Sequence, residues 1–294
     1  MPCSTGIIQR VLMDRTARAG SSRTVGTLVV LGDSVGVGLG DPVPDRGWRG
    51  FAPLLAEALA PARLINLSVN GARLGSVRRD QLPAALRSRP DVAIVVAGMN
   101  DTMRSDFDPN RLHADLDKIV SSLTQAGALV LTIRYHDHGR VFRLPGALYR
   151  ILLARISELN SVFDVVSRRH STGVVDLAQE PGIYHKSAWA VDRLHPSELG
   201  HRILARAFAQ RVAEAGMVAE EVSLACSGGL EVTRTQRVAW LIVKGVPWLL
   251  RRGTDLVPHL AATMLRAAFA EQIAAGRALL DEEPEPAEIM TEQI

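Results

Sequence analysis

The chain has 294 residues, long for one domain of the usual ~150 residues and barely enough for two. Apolar residues make up 47% and charged residues 22%, which excludes the low-hydrophobicity composition of a disordered chain, and 4% aromatics leave little for stacking on single-stranded nucleic acid. The net charge of +3 is a mild basic balance without a recognition motif, so no nucleic-acid partner is expected.

Residues 1–24 contain arginines but no apolar run of signal-peptide length, and read as a flexible leader of a cytoplasmic protein. From Thr27 onward short apolar runs alternate with longer segments of helical period, the rhythm of a parallel α/β sheet. The expected strands are Thr27–Leu31, Arg63–Val69, Val92–Ala97, Leu129–Arg134 and Gly173–Leu177. Their near-continuous apolar character suits strands covered on both faces. The expected helices are Trp48–Leu59, a stretch around Arg78–Arg87, Arg111–Ala126, Leu148–Arg169 and Ser197–Ala215. These units fill a catalytic domain over 25–216. The rest divides into a helical extension, 217–280, and an acidic, proline-containing tail, 281–294, which is expected to be disordered.

Charge is unevenly spread. Residues 1–216 carry +7 and residues 217–294 carry −4, yet 233–277 alone carry +5. Within that stretch, 234–252 reads RTQRVAWLIVKGVPWLLRR, an apolar run with two tryptophans framed by basic residues. Such a helix suits peripheral contact with an anionic membrane surface, or packing on the enzyme domain or at a dimer seam. No transmembrane helix is expected, because Lys244, Gly245 and Pro247 interrupt the longest apolar stretch well short of a bilayer span. Cys3 and Cys226 match neither a disulfide framework nor a zinc spacing, which fits a reducing compartment. Oligomeric state is open.

The chemistry gathers at the ends of the strands. The first runs into Gly32-Asp33-Ser34, which places a serine at the crevice where open α/β sheets bind ligands. A serine hydroxyl needs a base and a group to orient that base. Asp192-Arg-Leu-His195, before the last helix, supplies both: the carboxylate accepts from one ring nitrogen and the other faces the serine. An oxyanion needs preorganised donors, and the candidates are the Ser34 and Gly71 N–H groups and the Asn100 amide.

These blocks in order, GDS at 32–34, the glycine at 71, G-x-N-D at 98–101 and D-x-x-H at 192–195, resemble the GDSL or SGNH hydrolases over roughly residues 25–215. The resemblance implies a flavodoxin-like three-layer α/β/α fold with a central parallel five-stranded sheet. It also implies esterase, lipase, thioesterase or carbohydrate-deacetylase chemistry through an acyl-serine intermediate, with no cofactor or metal. Residue by residue it makes Ser34 the nucleophile, His195 the base, Asp192 its partner, and Ser34, Gly71 and Asn100 the oxyanion donors. Val35 stands where the family name has leucine, and the 78-residue tail lies outside the family pattern. An acyltransferase with the same triad, or a silent binding protein with the same fold, are the alternatives.

Other motifs read more plainly. Gly36-Val-Gly38-Leu-Gly40 resembles a dinucleotide loop, but Asp41-Pro-Val-Pro-Asp-Arg follows where a helix should open. His136-Asp137-His138 has no further ligand cluster and reads as a solvated pair rather than a metal site. His201 reads as a helix-surface histidine. Tyr135, His136, Tyr184 and Trp189 are candidate substrate contacts, walling an acyl pocket of a small-molecule or lipid ester.

Overall fold

The structure, a computed structural model, describes residues 23–44, 47–142 and 146–227. The chain divides into two compact units, Met1–Gly245 and Val246–Ile294, and every described residue belongs to the first.

Strand β1 (Thr27–Gly32) leads into the short helix α1 (Ser34–Val37), a two-residue ribbon of β2 (Pro42–Val43) and β3 (Gly47–Trp48), and helix α2 (Phe51–Leu59). Then come β4 (Arg63–Asn66), α3 (Leu74–Ser76), a π-helical turn (Val77–Gln81), α4 (Leu82–Arg87) and β5 (Val92–Val96). The chain continues through α5 (Met99–Thr102), α6 (Pro109–Gln125), β6 (Leu129–Arg134), α7 (His138–Phe142), α8 (Gly146–His170), β7 (Gly173–Asp176), a 3-10 turn (Lys186–Ala188) and α9 (Glu198–Glu214).

The five long strands form one parallel sheet in the order β4-β1-β5-β6-β7. All of β5 and all but the first residue of β1 are buried, so their continuous apolar runs meet the two-sided cover they require. Helices α6 and α8 pack together, as do α2 and α9, giving the layers that flank the sheet. The expected fold class is the observed one.

The helix ends follow their capping chemistry. Asp108 accepts from the Asn110 and Arg111 N–H groups to start α6, with Pro109 at its first position. Ser197 accepts from Gly200 N–H to start α9.

Two features depart from the sequence reading. The β2–β3 ribbon occupies the start of the expected first helix, which begins only at Phe51. Residues 217–227, expected to open a helical extension, contain no helix. They run back over the catalytic unit: Val218 N–H donates to the Arg23 carbonyl, Glu220 N–H donates to the Ala58 carbonyl, and Val222 is buried. The basic stretch 234–252, the acidic tail and residues 1–22 of the leader lie outside the described residues. No helix among the described residues is long and apolar enough to cross a membrane.

Candidate active site

Strand β1 lies between β4 and β5, where the sheet's connections diverge, and Ser34 sits just past its carboxyl end. The approach is tight. A Cβ on Gly32 would stand 2.2 Å from the Val96 carbonyl oxygen of β5, so the residue two before Ser34 must be glycine. Asp33 caps α1 by accepting from Val35 N–H, which fixes the helix start that carries Ser34.

Ser34 Oγ lies 2.9 Å from His195 Nε2, and His195 Nδ1 lies 2.6 Å from Asp192 Oδ2. The second distance is that of a strong charge-assisted bond. The other carboxylate oxygen of Asp192 accepts from the N–H groups of Leu194 (2.9 Å) and His195 (3.0 Å). Burial would raise the Asp192 pKa, but the bonds from His195 and the two N–H groups outweigh it and hold the carboxyl below its ordinary value.

The turn carrying these two residues is closed on itself. Ala190 N–H donates to the His195 carbonyl, Arg193 N–H donates to the Ala190 carbonyl, and Trp189 pairs with Pro196. Arg193 adopts the left-handed φ of +55° without being glycine. The glycine-rich segment after Ser34 packs against this turn rather than cradling a dinucleotide. Gly40 has φ +97°, and a Cβ there would stand 2.0 Å from the Pro196 carbonyl oxygen.

The two donor loops are locked to each other. Gly71, at φ +77°, is exposed, with open space where a Cβ would project. Asn100 Nδ2 donates to the Ala72 carbonyl at 3.1 Å and stands 3.4 Å from Asp33 Oδ2. Next to it, buried Asp101 accepts from Arg73 Nε (2.9 Å) and Leu74 N–H (3.2 Å). Burial pushes the Asp101 pKa up despite these donors. Burial likewise pushes Asp33 up to about 6, against the lowering effect of the Val35 N–H.

The remaining sequence candidates gather behind the 189–196 turn. Tyr135, His136 and Trp189 are buried and help line a cavity of about 40 Å³ with Asp33, Val35 and Leu194, a cavity whose walls include neither Ser34 nor His195. Trp189 Nε1 donates to the Ile183 carbonyl, and its ring lies 4.9 Å from that of His136. Tyr184 packs edge-on to His136, its hydroxyl accepts from Asp137 N–H, and Arg140 stacks over its ring at 4.1 Å. His136, Tyr184 and Trp189 pack on one another, the Tyr135 ring packs edge-on to Phe163, and the Ser34 hydroxyl is bonded to none of the four.

Two expectations about histidines are overturned. His136 and His138 are not solvated: each is 2% exposed, and their rings are hydrogen-bonded together. His201 is not on a helix surface but fully buried, with Nε2 donating to the Leu39 carbonyl. Among the described residues, no group of three or more His, Cys, Asp or Glu side chains is arranged to hold a metal ion.

One supporting residue escaped the sequence reading. Gln81, buried in the π-helical turn, accepts from Gly32 N–H at 2.8 Å and donates to the Gly32 carbonyl at 2.9 Å. It pins the end of β1 just ahead of Asp33 and Ser34. The only sequence signal is a glutamine among charged neighbours in a helical stretch, and it does not separate a buried role from an exposed one.

On the side of the donor loops, a cavity of about 300 Å³ opens beside Gly71. Its walls include Arg73, Arg79, Arg111, Asp101, Asp106 and Asp115. Arg73 bridges Asp101 and Asp106, so the wall nearest Gly71 is a fixed array of donors and acceptors.

Among solved structures, TesA matches with 23% identity over 64% of this chain and 98% of its own, at a TM-score of 0.51. Axe2, an acetylxylan esterase from Geobacillus stearothermophilus, matches with 18% identity over 67% of this chain and 99% of its own, at a TM-score of 0.53. EstA, a psychrotrophic esterase from Pseudoalteromonas sp. inhibited by monoethylphosphonate, matches with 19% identity over 65% of this chain and 98% of its own, at a TM-score of 0.51. At these identities the likeness is one of fold. No curated protein sequence matches the chain. The model of the GDSL-like Lipase/Acylhydrolase family matches residues 30–203, more than half of the chain and all four sequence blocks. The protein therefore belongs to that family and is a carboxylic ester hydrolase.

Proposed function

We propose that the protein hydrolyses short acyl esters of polar alcohols through an acyl-enzyme formed on Ser34. The observation that carries this reading is the unbroken chain Ser34 Oγ, His195 Nε2, His195 Nδ1, Asp192 Oδ2, at 2.9 and 2.6 Å. Its geometry suits a nucleophile, a general base and the carboxylate that orients it.

In the first half-reaction Ser34 Oγ attacks the ester carbonyl carbon while His195 Nε2 takes the hydroxyl proton. Asp192 stabilises the imidazolium. The carbonyl oxygen becomes an oxyanion facing the Ser34 and Gly71 N–H groups and the Asn100 amide. Collapse of this intermediate breaks the carbon–oxygen bond to the alcohol, which leaves with the proton from His195. In the second half-reaction water gives its proton to His195, attacks the acyl-serine, and releases the acid as Ser34 Oγ recovers the proton.

The substrate class is supported by the two cavities that border the loops of the site, neither of which has Ser34 or His195 in its walls. The 300 Å³ cavity beside Gly71 is built of arginine and aspartate side chains, which suit hydroxyl-rich or otherwise polar groups better than an alkyl chain. The apolar cavity near Asp33 measures only about 40 Å³.

The test is a panel of p-nitrophenyl esters of increasing acyl length, with Ser34→Ala as control and labelling by a serine-directed phosphonate. Acetyl and propionyl esters should turn over fastest, and mass spectrometry should locate the phosphonate on Ser34. Wild-type rates equal to those of Ser34→Ala on every ester, with no label on Ser34, would reject the mechanism. A preference for long acyl chains would reject the substrate class alone.

A further inference from the structure

A hydrogen-bonded chain of two buried histidines ends on the backbone of the 189–196 turn. His138 Nε2 lies 3.0 Å from the Arg193 carbonyl oxygen, and His138 Nδ1 lies 3.0 Å from His136 Nε2. A carbonyl oxygen only accepts, so His138 Nε2 carries a proton. Burial drives both imidazoles toward the neutral form, with His138 down to about 4. A neutral ring has one N–H, which leaves His138 Nδ1 an acceptor and makes His136 Nε2 the donor to it. The polarity of the chain is thereby determined: His136 donates to His138, and His138 donates to Arg193.

The carbonyl at its end belongs to a residue that needs holding. Arg193 is non-glycine at φ +55°, a left-handed conformation that is costly for a residue with a Cβ and persists only where its surroundings impose it. Arg193 also sits between Asp192 and His195, so any relaxation of its backbone moves the carboxylate relative to the imidazole it orients.

We propose that His138 is a positioning residue for the hydrolytic reaction: its Nε2–H holds the Arg193 carbonyl, and through it the left-handed turn that aligns Asp192 with His195. His136 fixes the tautomer in which His138 can do this. Trp189 packs against both rings, with centroids 4.9 Å away in each case, and keeps the pair in register with the turn. This assignment rests on the acyl-serine reading for its kinetic consequence but not for its structural one. It accounts for two buried histidines whose hydrogen bonds run to each other and to the 189–196 turn rather than to Ser34.

Two variants separate hydrogen bonding from packing. His138→Phe keeps a ring against Trp189 and Phe142 but removes both nitrogens. His138→Gln loses the ring but carries a donor and an acceptor. The expected result is that His138→Phe lowers kcat by on the order of 10- to 100-fold with KM nearly unchanged, the effect of a small misplacement away from the reacting atoms. His138→Gln should recover most of that loss. The short His195 Nδ1–H to Asp192 bond should give wild type a far-downfield proton resonance, which should broaden or vanish in His138→Phe and return in His138→Gln. Adding Arg193→Gly, which makes the left-handed backbone free of cost, should restore part of the activity lost in His138→Phe.

A His138→Phe protein with wild-type kcat and an unaltered downfield resonance overturns the proposal. So does the reverse ranking, with Gln worse than Phe, which would assign His138 to packing alone. A wild-type protein that hydrolyses no ester and takes no phosphonate rejects the acyl-serine reading instead, and the resonance still decides the positioning role.

Discussion

The Asn100 side-chain amide donates to the Ala72 carbonyl at 3.1 Å, which ties the loop carrying Gly71 to the segment that follows β5. One candidate oxyanion donor thus holds the loop of another. Asn100→Ala should lower kcat by about 10²–10³, the usual loss for one oxyanion donor, with little change in KM. Because the loop is also released, a Gly71→Ala substitution added to it should cost less than it does alone. Steady-state kinetics of the two single variants and the double variant check this, and simple multiplication of the two losses would show that the loops act independently.

Asp192 is oriented from both sides, and this makes its amide variant informative. The N–H groups of Leu194 and His195 bond one carboxylate oxygen, so the asparagine of Asp192→Asn must turn its carbonyl toward them and its NH2 toward His195 Nδ1. The imidazole is then forced to carry its proton on Nε2, where it cannot take one from Ser34. A loss in kcat on the order of 10⁴ is expected, with the fold intact. A loss below tenfold, in a protein with an unchanged melting temperature, would mean that His195 does not depend on this carboxylate for its tautomer.

The strands and the Ser34, His195 and Asp192 cluster are legible in the sequence, while the residues that support it are not. Val92–Val96 and Thr27–Gly32 announce themselves because two-sided burial demands uninterrupted apolar residues. Ser34, Asp192 and His195 were readable because each sits at a recognisable break after a strand or before a helix. Gln81 was not, because a π-helical turn has no periodic signature and the Gly32 backbone it pairs with lies 49 positions away. His136, His138 and His201 look like solvated residues until the fold supplies their partners. For His201 that partner is a carbonyl 162 positions distant. The β2–β3 ribbon is two residues long on each side, too short for any alternation to show.

Gln81 should therefore matter more than its sequence context suggests. Gln81→Leu leaves the buried Gly32 N–H without its acceptor and introduces an apolar side chain of similar size. A destabilisation of about 1–3 kcal/mol follows from the unsatisfied group. Because Gly32 lies two residues before Ser34, kcat should fall as well. Urea denaturation together with ester kinetics tests both. An unchanged kcat would make Gln81 a purely structural residue.

Asp33 makes stability fall as pH rises through the mildly acidic range. Its carboxyl has an ordinary pKa of 3.8 and is pushed up to about 6 in the folded protein, chiefly by burial. The folded state therefore binds the proton more tightly than the unfolded state. The resulting stability is fully present below about 3.8 and is lost as pH rises through about 6, by roughly 3 kcal/mol at most. Asp33→Asn carries no titrating proton, so the stability difference between variant and wild type should shift in the variant's favour across this window and be flat above it. Denaturation midpoints measured from pH 3.5 to 7 supply the curve, and a pH-independent difference would contradict the raised pKa.

Glu198 has the opposite dependence and also explains how the chain after α9 is held. Its carboxylate accepts from Arg49 Nη2 (2.8 Å), Arg202 Nε (3.0 Å), Ser227 N–H (2.6 Å) and Ser227 Oγ (2.9 Å). Burial alone would raise its pKa, but the donors from Ser227, Arg49 and Arg202 bring it from 4.5 down to about 2. Its contribution is present above about 4.5 and is lost as pH falls through about 2. Glu198→Gln keeps an acceptor but takes from Arg202 its carboxylate partner, while Arg49 retains Asp41 at 2.9 Å, a loss of about 3 kcal/mol for a largely buried network. The same substitution loosens the grip on Ser227, since Arg202 holds the Ser223 carbonyl and Arg49 the Ser227 hydroxyl within that network. Limited proteolysis at neutral pH should then cut Glu198→Gln faster than wild type between Val222 and Ser227, and Ser227→Ala should give an intermediate rate. Equal cleavage rates in all three proteins would show that the return of this segment over the catalytic unit does not depend on the Glu198 carboxylate.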